Sequence, residues 1–330
     1  MKLALIGCGL LGGSLAAAWR AHAGVRHVRG FDRDPARLAE ALRLGIIDAG
    51  AASLAEAVAD ADCVALAVPV RALAELFEPL ARHARADAIL TDVGSTKGEL
   101  MRRARSALGA GFARYVPGHP IAGGALPGVV HASAGLFAGR WVITTPDERT
   151  DAQALERVER AWRACGASIA RMGAAEHDRI FAAVSHLPHL LAFALVHQIA
   201  GQGDGARKLQ FAGGGFRDFT RIAASDPVMW RDIALANREA IGAELAQYRA
   251  ELDALQAALG AGDGAALDRL FERASQVRRA QAFGADAAAD EVGHGPAEAM
   301  FDAPAEAPAP STPAPAGAAG SGAATGSRRP

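Results

Sequence analysis

The chain has 330 residues, with 35 Lys and Arg against 36 Asp and Glu for a formal net charge of −1, and its length leaves room for about one to three domains. That balance excludes an electrostatic pull towards nucleic acid or an anionic membrane surface, and no apolar stretch is expected to reach the roughly 18 residues that span a bilayer. Cys8, Cys63 and Cys165 show no CxxC or metal-ligand spacing, so reduced thiols in a cytoplasmic protein, with no bound metal, are expected.

Lys2-Leu3-Ala4-Leu5-Ile6 is a short apolar run that opens into Gly7-Cys8-Gly9-Leu10-Leu11-Gly12-Gly13-Ser14. A helical stretch through Leu15 and Trp19 follows, and a second apolar run, Val25 to Phe31, ends at Asp32. The series reads strand, glycine turn, helix, strand, acid, which is the pattern of a dinucleotide site. Gly7 allows the tight turn, Gly9 lets the backbone approach a pyrophosphate, and Gly12 lets the helix pack close to the strand. The helix N-terminus offers unpaired N–H groups to the same pyrophosphate. Gly7, Gly9, Leu10, Leu11 and Gly12 are thus the candidate loop contacts, and Asp32 the acceptor for both ribose hydroxyls. A carboxylate at Asp32 repels a 2′-phosphate and favours NAD, whereas the neighbouring Arg33 can accommodate that phosphate and leaves NADP open. A secretory or lipoprotein leader ending near Cys8 is the rival reading, but the apolar stretch is too short for one.

A helix is expected over Pro35 to Leu44, a buried parallel strand over Cys63 to Val68, a helix over Ala72 to Ala84 and a strand over Ala88 to Asp92. Alternation continues through Trp141-Val142-Ile143-Thr144, so residues 1–150 are expected to form a Rossmann-type, doubly wound α/β domain, with a further strand at Ser168 to Arg171 extending the sheet to about 172. Val68 and Pro69, at a strand's carboxyl end, fall beside the cofactor or form an ordinary strand-to-helix turn. Residues 151–284 are expected to be an all-helical domain, including helices from Glu176 to Ala200 and from about Asp226 to Leu259. On the second of these, Ile241, Leu245, Tyr248, Leu252, Leu255 and Leu259 make a narrow seam, either internal or the interface of a homodimer. Residues 285–330 are rich in Ala, Pro, Gly and Ser and are expected to be a disordered tail.

Three stretches go beyond the fold. Asp92-Val93-Gly94-Ser95-Thr96-Lys97-Gly98 is not a phosphate-binding P-loop, and its plain reading is a helix start with Ser95 as cap and Thr96 and Glu99 as a capping box. Gly118-His119-Pro120 holds a histidine in extended backbone, where a neutral imidazole can take a proton from a hydroxyl as hydride leaves the same carbon. Ser185-His186-Leu187-Pro188-His189 puts two histidines on one helix face, with an expected kink at Pro188 and no third metal ligand. Downstream, Arg221 is either a fork for a substrate carboxylate or one half of a surface ion pair with Asp218.

GxGLxGGS at 7–14, DVGSTKG at 92–98, GHPIAGG at 118–124, SHLPH at 185–189 and GGGFRDFTRIAxSDPxMW at 213–230 together resemble the prephenate dehydrogenase family, over residues 1 to about 280. The resemblance implies a Rossmann domain followed by a helical dimerisation domain, and NAD-dependent oxidative decarboxylation of prephenate to 4-hydroxyphenylpyruvate in tyrosine biosynthesis. It makes His119 the group that polarises the ring hydroxyl, with Ser95 orienting it. His189 and Arg221 become carboxylate ligands and Ser185 a cleft residue, while Asp218 supports Arg221 and Trp230 packs nearby. Family members with an acidic gate after HPIAG differ from this chain, which has Ala125 there. Arogenate or dual cyclohexadienyl specificity is the nearest alternative, and a non-catalytic NAD-binding scaffold a distant one.

Overall fold

The structure, a computed structural model, describes residues 1–124 and 126–280, so the tail at 285–330 and the gate position Ala125 lie outside the described residues. Six parallel strands, β1 (Lys2–Ile6), β2 (His27–Phe31), β3 (Ala49–Gly50), β4 (Cys63–Leu66), β5 (Ile89–Asp92) and β6 (Tyr115–Val116), are ordered β3-β2-β1-β4-β5-β6. Leu3 pairs with Val28 on one side and Cys63 on the other, so the order reverses at β1 and β4 and opens a crevice at their carboxyl ends. Both strands are buried on two faces, which is why they read as unbroken apolar runs. Side-chain alternation sends Leu3 and Leu5 into one core with Leu15, Trp19 and Trp162, and Ala4 and Ile6 into the other with Leu73, Phe77 and Tyr115. The helices are α1 (Leu10–His22), α2 (Pro35–Arg43), α3 (Leu54–Val58), α4 (Val70–His83) and α5 (Gly98–Leu108).

The expected single sheet is in fact two. β7 (Gly118–Pro120), β8 (Trp141–Thr144) and β9 (Ser168–Arg171) form a separate three-stranded sheet, β7 antiparallel and β9 parallel to β8. Pro117 lies between β6 and β7; it has no N–H to continue the first ladder, and its carbonyl instead accepts from Thr145. α6 (Ala152–Ala164) brings Trp162 edge-to-face against Trp19, with ring centroids 5.5 Å apart, and so ties this small sheet to the first core.

The helical part comprises α7 (Ala174–Phe181), a π turn (Ala182–His186), α8 (Leu187–Ala200), α9 (Gly205–Gln210), α10 (Gly214–Thr220), α11 (Pro227–Ala236), α12 (Arg238–Ala261) and α13 (Gly264–Ala280). Pro188 sits in the first turn of α8 and the π turn precedes it, so the wider turn takes up the missing N–H that a kink was expected to absorb. The stretch Ala174–Ala200 is, by length and composition, apolar enough to cross a membrane, contrary to the sequence expectation. Three of its polar side chains nevertheless face inward, His177, Asp178 and His186, which are buried on hydrogen-bonded partners, while Glu176, Arg179, His197 and Gln198 are exposed. The long helix expected from Asp226 breaks at Asn237, whose side chain is drawn into the site. Along α12 only Ile241 of the seam is buried; Leu245, Tyr248, Leu252 and Leu259 are exposed, so the seam is not closed among the described residues.

Candidate active site

β1 ends in Gly7 at φ +98°, where a side chain would be strained and would overlap the Ala67 carbonyl. A Cβ on Gly12 would overlap the Gly7 carbonyl, so α1 packs directly on the loop. Gly9 differs: a Cβ there would meet nothing within 4 Å, and α1 starts beside it without a side-chain cap. The first amide to bond back is Gly13 N to Gly9 O, which leaves those of Leu10, Leu11 and Gly12 without intrahelical partners. This cradle fits a pyrophosphate. Asp32 closes β2 with Oδ2 accepting from Cys8 N at 2.8 Å and Oδ1 from Asp34 N at 2.9 Å, so its carboxylate is pinned beside the loop. Arg33 is exposed, Val68 lies against Gly7, and Pro69 caps α4 at the surface. Burial, helped by Asp32, pushes the Cys8 thiol up to about 12, which leaves it inert.

His119 lies on β7 opposite Ile143 and is 9% exposed. Its Nδ1 is 2.8 Å from Nε2 of His177, whose own Nδ1 is 2.9 Å from Oδ1 of Asp178. Phe181 packs on both imidazoles, with ring centroids 4.8 Å and 4.5 Å away. Asp178 also accepts from Lys97 N and Gly98 N, each at 2.8 Å. The capping box expected from Ser95, Thr96 and Glu99 is therefore absent: α5 starts after Lys97 with no local side-chain cap, and buried Thr96 Oγ1 has no partner among the described residues. An ionised carboxylate serving two amides replaces the local cap. Behind it Lys97 Nζ meets Asp92 Oδ1 at 2.5 Å with both side chains fully buried, and Asp92 also accepts from Gly94 N and the Tyr115 hydroxyl. Burial, then the neighbouring His177, Lys97 and His186, holds His119 well below the usual imidazole range. Burial raises the Asp178 carboxyl, but the bonds from His177, Lys97 and Gly98 outweigh it and leave the group more acidic than usual.

His186, in the π turn, is buried with Nδ1 3.1 Å from Asn237 Nδ2, and it lies beside the Ser95 backbone; burial lowers its pKa to about 4. Asn237 also donates to the Asp178 carbonyl at 2.7 Å, which links this histidine to the His119 cluster. His189 stacks on Trp230 at 3.7 Å and 20°, and its Nδ1–H donates to the Ser185 carbonyl at 2.9 Å. With Nδ1 so committed, Nε2 of His189 grips a carboxylate only when the ring is cationic. Burial and the charge of Arg221 both lower its pKa, which also locates Arg221 near His189. Arg221 opens a 3₁₀ turn after α10 and makes no ion pair with the exposed Asp218 among the described residues, so the expected support from Asp218 is not seen. Ser185 is half-buried on the same turn as His186.

The structure thus gathers Ser95, His119, Ser185, His189, Arg221 and Trp230 and leaves Asp218 outside. Sequence reasoning missed His177, Asp178, Lys97 and Asn237. Asn237 carried a signal, since asparagine favours helix ends, but the His-Asp pair has no diagnostic spacing. A cavity of about 670 Å³ lies between α4, α5, α11 and the start of α12 and is lined by none of the gathered residues.

Comparison with known proteins agrees with this geometry. Residues 15–171 match the prephenate dehydrogenase nucleotide-binding domain, and residues 173–273 match the prephenate dehydrogenase dimerization domain. The prephenate dehydrogenase of Bacillus subtilis is 36% identical over 277 residues, covering 83% of this chain and 74% of the relative. The cyclohexadienyl dehydrogenase of Zymomonas mobilis is 35% identical over 280 residues, covering 84% and 95%. The crystal structure of A. aeolicus prephenate dehydrogenase in complex with hydroxyphenyl propionate and NAD+ superposes with a TM-score of 0.79 at 36% identity, covering 85% of this chain and 98% of that one. A glycine cradle, a buried histidine cluster and, above all, two matched domains in the same order with relatives 35–36% identical lead to one conclusion: the chain belongs to the prephenate dehydrogenase family.

Proposed function

We propose that the chain catalyses oxidative decarboxylation of prephenate to 4-hydroxyphenylpyruvate with NAD, a step of tyrosine biosynthesis. The observation that carries this reading is His119, held neutral by burial, with Nδ1 engaged by His177 and Nε2 free of any partner among the described residues. The cradle at Gly7 to Gly12 and the Asp32 carboxylate hold the dinucleotide, which when bound accepts the hydride from the carbinol carbon. His119 Nε2 takes the hydroxyl proton, and Ser95 orients that hydroxyl. Loss of CO2 then makes the ring aromatic, and His119 returns its proton to the phenolate oxygen, so the base is restored in each turnover. Arg221 holds one carboxylate, and His189, kept in place by Trp230 and with its pKa depressed in the free site, takes up a proton as the other carboxylate docks beside it and raises that pKa, with Ser185 lining the cleft. General-base help of this kind contributes about 10²–10⁴ in rate.

We further place the nucleotide domain at 1–150, with strands reaching 172, and the helical substrate and dimerisation domain at 151–284. The exposed seam of α12 supports assembly as a homodimer, since Leu245, Tyr248, Leu252 and Leu259 otherwise face water. A cytoplasmic location fits the reduced, buried cysteines. A second reading, dual prephenate and arogenate use, is favoured by the likeness to a cyclohexadienyl dehydrogenase. The test is NADH and NADPH formation with prephenate and with arogenate in turn. Turnover with prephenate and NAD is expected, equal kcat/KM for both substrates would establish the second reading, and no turnover with either would overturn both.

A further inference from the structure

Beyond the base itself lies a question of which imidazole nitrogen carries its proton. Asp178 is ionised, so its carboxylate only accepts hydrogen bonds. It faces His177 Nδ1 at 2.9 Å, and that nitrogen must therefore carry hydrogen. A neutral His177 then has its lone pair on Nε2, which faces His119 Nδ1 at 2.8 Å. Two lone pairs cannot face each other at that distance, so His119 carries hydrogen on Nδ1 and leaves Nε2 bare. The reverse order would require hydrogen on both nitrogens of His177, a buried imidazolium close to the Lys97 ammonium, and burial disfavours it.

We propose that His177 and Asp178 are positioning residues that fix His119 in the single tautomer able to act as base, through a one-way chain His119 Nδ1–H to His177 Nε2 and His177 Nδ1–H to Asp178. The proposal rests on the reading of His119 as the base. It follows the logic by which a carboxylate holds the histidine of a hydrolase triad, with one more ring interposed. Three further observations support the chain as a built device. Asp178 is anchored by two backbone amides, Lys97 N and Gly98 N, on the loop that also carries Ser95, so the base and the hydroxyl-orienting residue share one support. Phe181 fixes both rings by packing on each of them. A Cβ on Gly98 would sit 2.8 Å from Asp178 Oδ2, so the loop has room for the carboxylate only because residue 98 has no side chain. When His119 takes up the substrate proton, the imidazolium keeps its bond to His177, and the Asp178 charge stabilises it through that ring.

The experiment measures kinetics and imidazole nitrogen chemical shifts on the full chain. His177→Leu removes the acceptor and frees His119 to place hydrogen on Nε2. Its kcat is expected to fall about 10²–10⁴-fold, the range that general-base help contributes and up to the roughly 10⁴-fold scale of a wrong tautomer in a triad, while the KM for prephenate and the Kd for NAD stay within about 3-fold. His177→Gln, whose carbonyl can still accept from Nδ1, is expected to recover at least about tenfold of that loss. In the unaltered protein the His119 resonances, identified by their loss in His119→Asn, are expected to show hydrogen on Nδ1. Hydrogen on Nε2 there would overturn the proposal, whether or not either His177 variant folds. Wild-type kcat in a folded His177→Leu would overturn it too, provided that His119→Asn is inactive. If His119→Asn keeps wild-type kcat, the reading of His119 as base fails instead, and the two failures are told apart.

Discussion

Replacing Lys97 by methionine keeps the length of the side chain and removes its charge. In the parent protein Nζ lies 2.5 Å from Asp92 Oδ1, and both side chains are fully buried. Burial lowers the lysine pKa while the Asp92 carboxylate works against that shift. In Lys97→Met the carboxylate keeps its bonds from Gly94 N and the Tyr115 hydroxyl but has no cation to offset its burial. Removing one member of a buried pair costs about 3–5 kcal/mol, and for a chain of this size a loss on that scale corresponds to a fall of about 5–15 °C in Tm. Asp92→Asn in the same background removes the stranded charge and should restore part of the loss. The change also reaches the chemistry. His119 is faced by His177, His186 and Lys97, and the Lys97 charge is one of the causes that lower its pKa. Without that charge His119 holds a proton more readily, so the acid limb of kcat should move to higher pH. Thermal melts and a pH–rate profile measure both effects. A variant that melts within about 1 °C of the parent would refute the reasoning.

Arg221→Ala should raise the KM for prephenate about 10- to 150-fold through loss of a charge-assisted contact, with a smaller fall in kcat and only partial recovery in Arg221→Lys. Because Arg221 is exposed and unpaired with Asp218, its melting temperature should not change, and an unaltered KM would remove it from the substrate site. Acidification should destabilise the fold: His119, His177, His186 and His189 all have depressed pKa values and bind fewer protons folded than unfolded. Their contribution is full above the ordinary imidazole range, near pH 6.5, and is lost as pH falls below it; His186, lowered to about 4, accounts for about 3 kcal/mol of this. Urea midpoints at neutral and acid pH test the sign, and stability that rises on acidification contradicts it. NAD should exceed NADP by at least about tenfold in kcat/KM because Asp32 is pinned beside the cradle, and comparable values for the two cofactors would disprove that preference.

What was legible in the sequence was what is local. The glycine turn, the apolar runs of β1 and β4 and the acid at Asp32 depend on neighbours within a few residues, and each stands where its spacing placed it. What escaped depends on partners far along the chain. β7 is a strand because of its antiparallel pairing with β8, and three residues give no periodicity to read. The start of α5 carries a plausible local cap in Thr96 and Glu99, yet a carboxylate 80 residues beyond Gly98 takes that place. His177 and Asp178 gain their meaning only when β7 brings His119 against them. The break at Asn237 combined both kinds of information: the residue type was visible, and its use as a donor to the Asp178 carbonyl was not.

The cap that Asp178 places on α5 also crosses the joint between the two matched domains, which meet between residues 171 and 173. Exchanging halves between relatives at that joint would separate a helix from the carboxylate that closes its amide end, and a base from the ring that orients it. A chimera would keep both only if residues 92–98, 118–120 and 174–186 came from one parent, or if the two parents had diverged without altering either side of the contacts. The unit that must be inherited intact is therefore neither domain but the three segments straddling the joint, and a swap drawn along the visible domain border cuts through the middle of it.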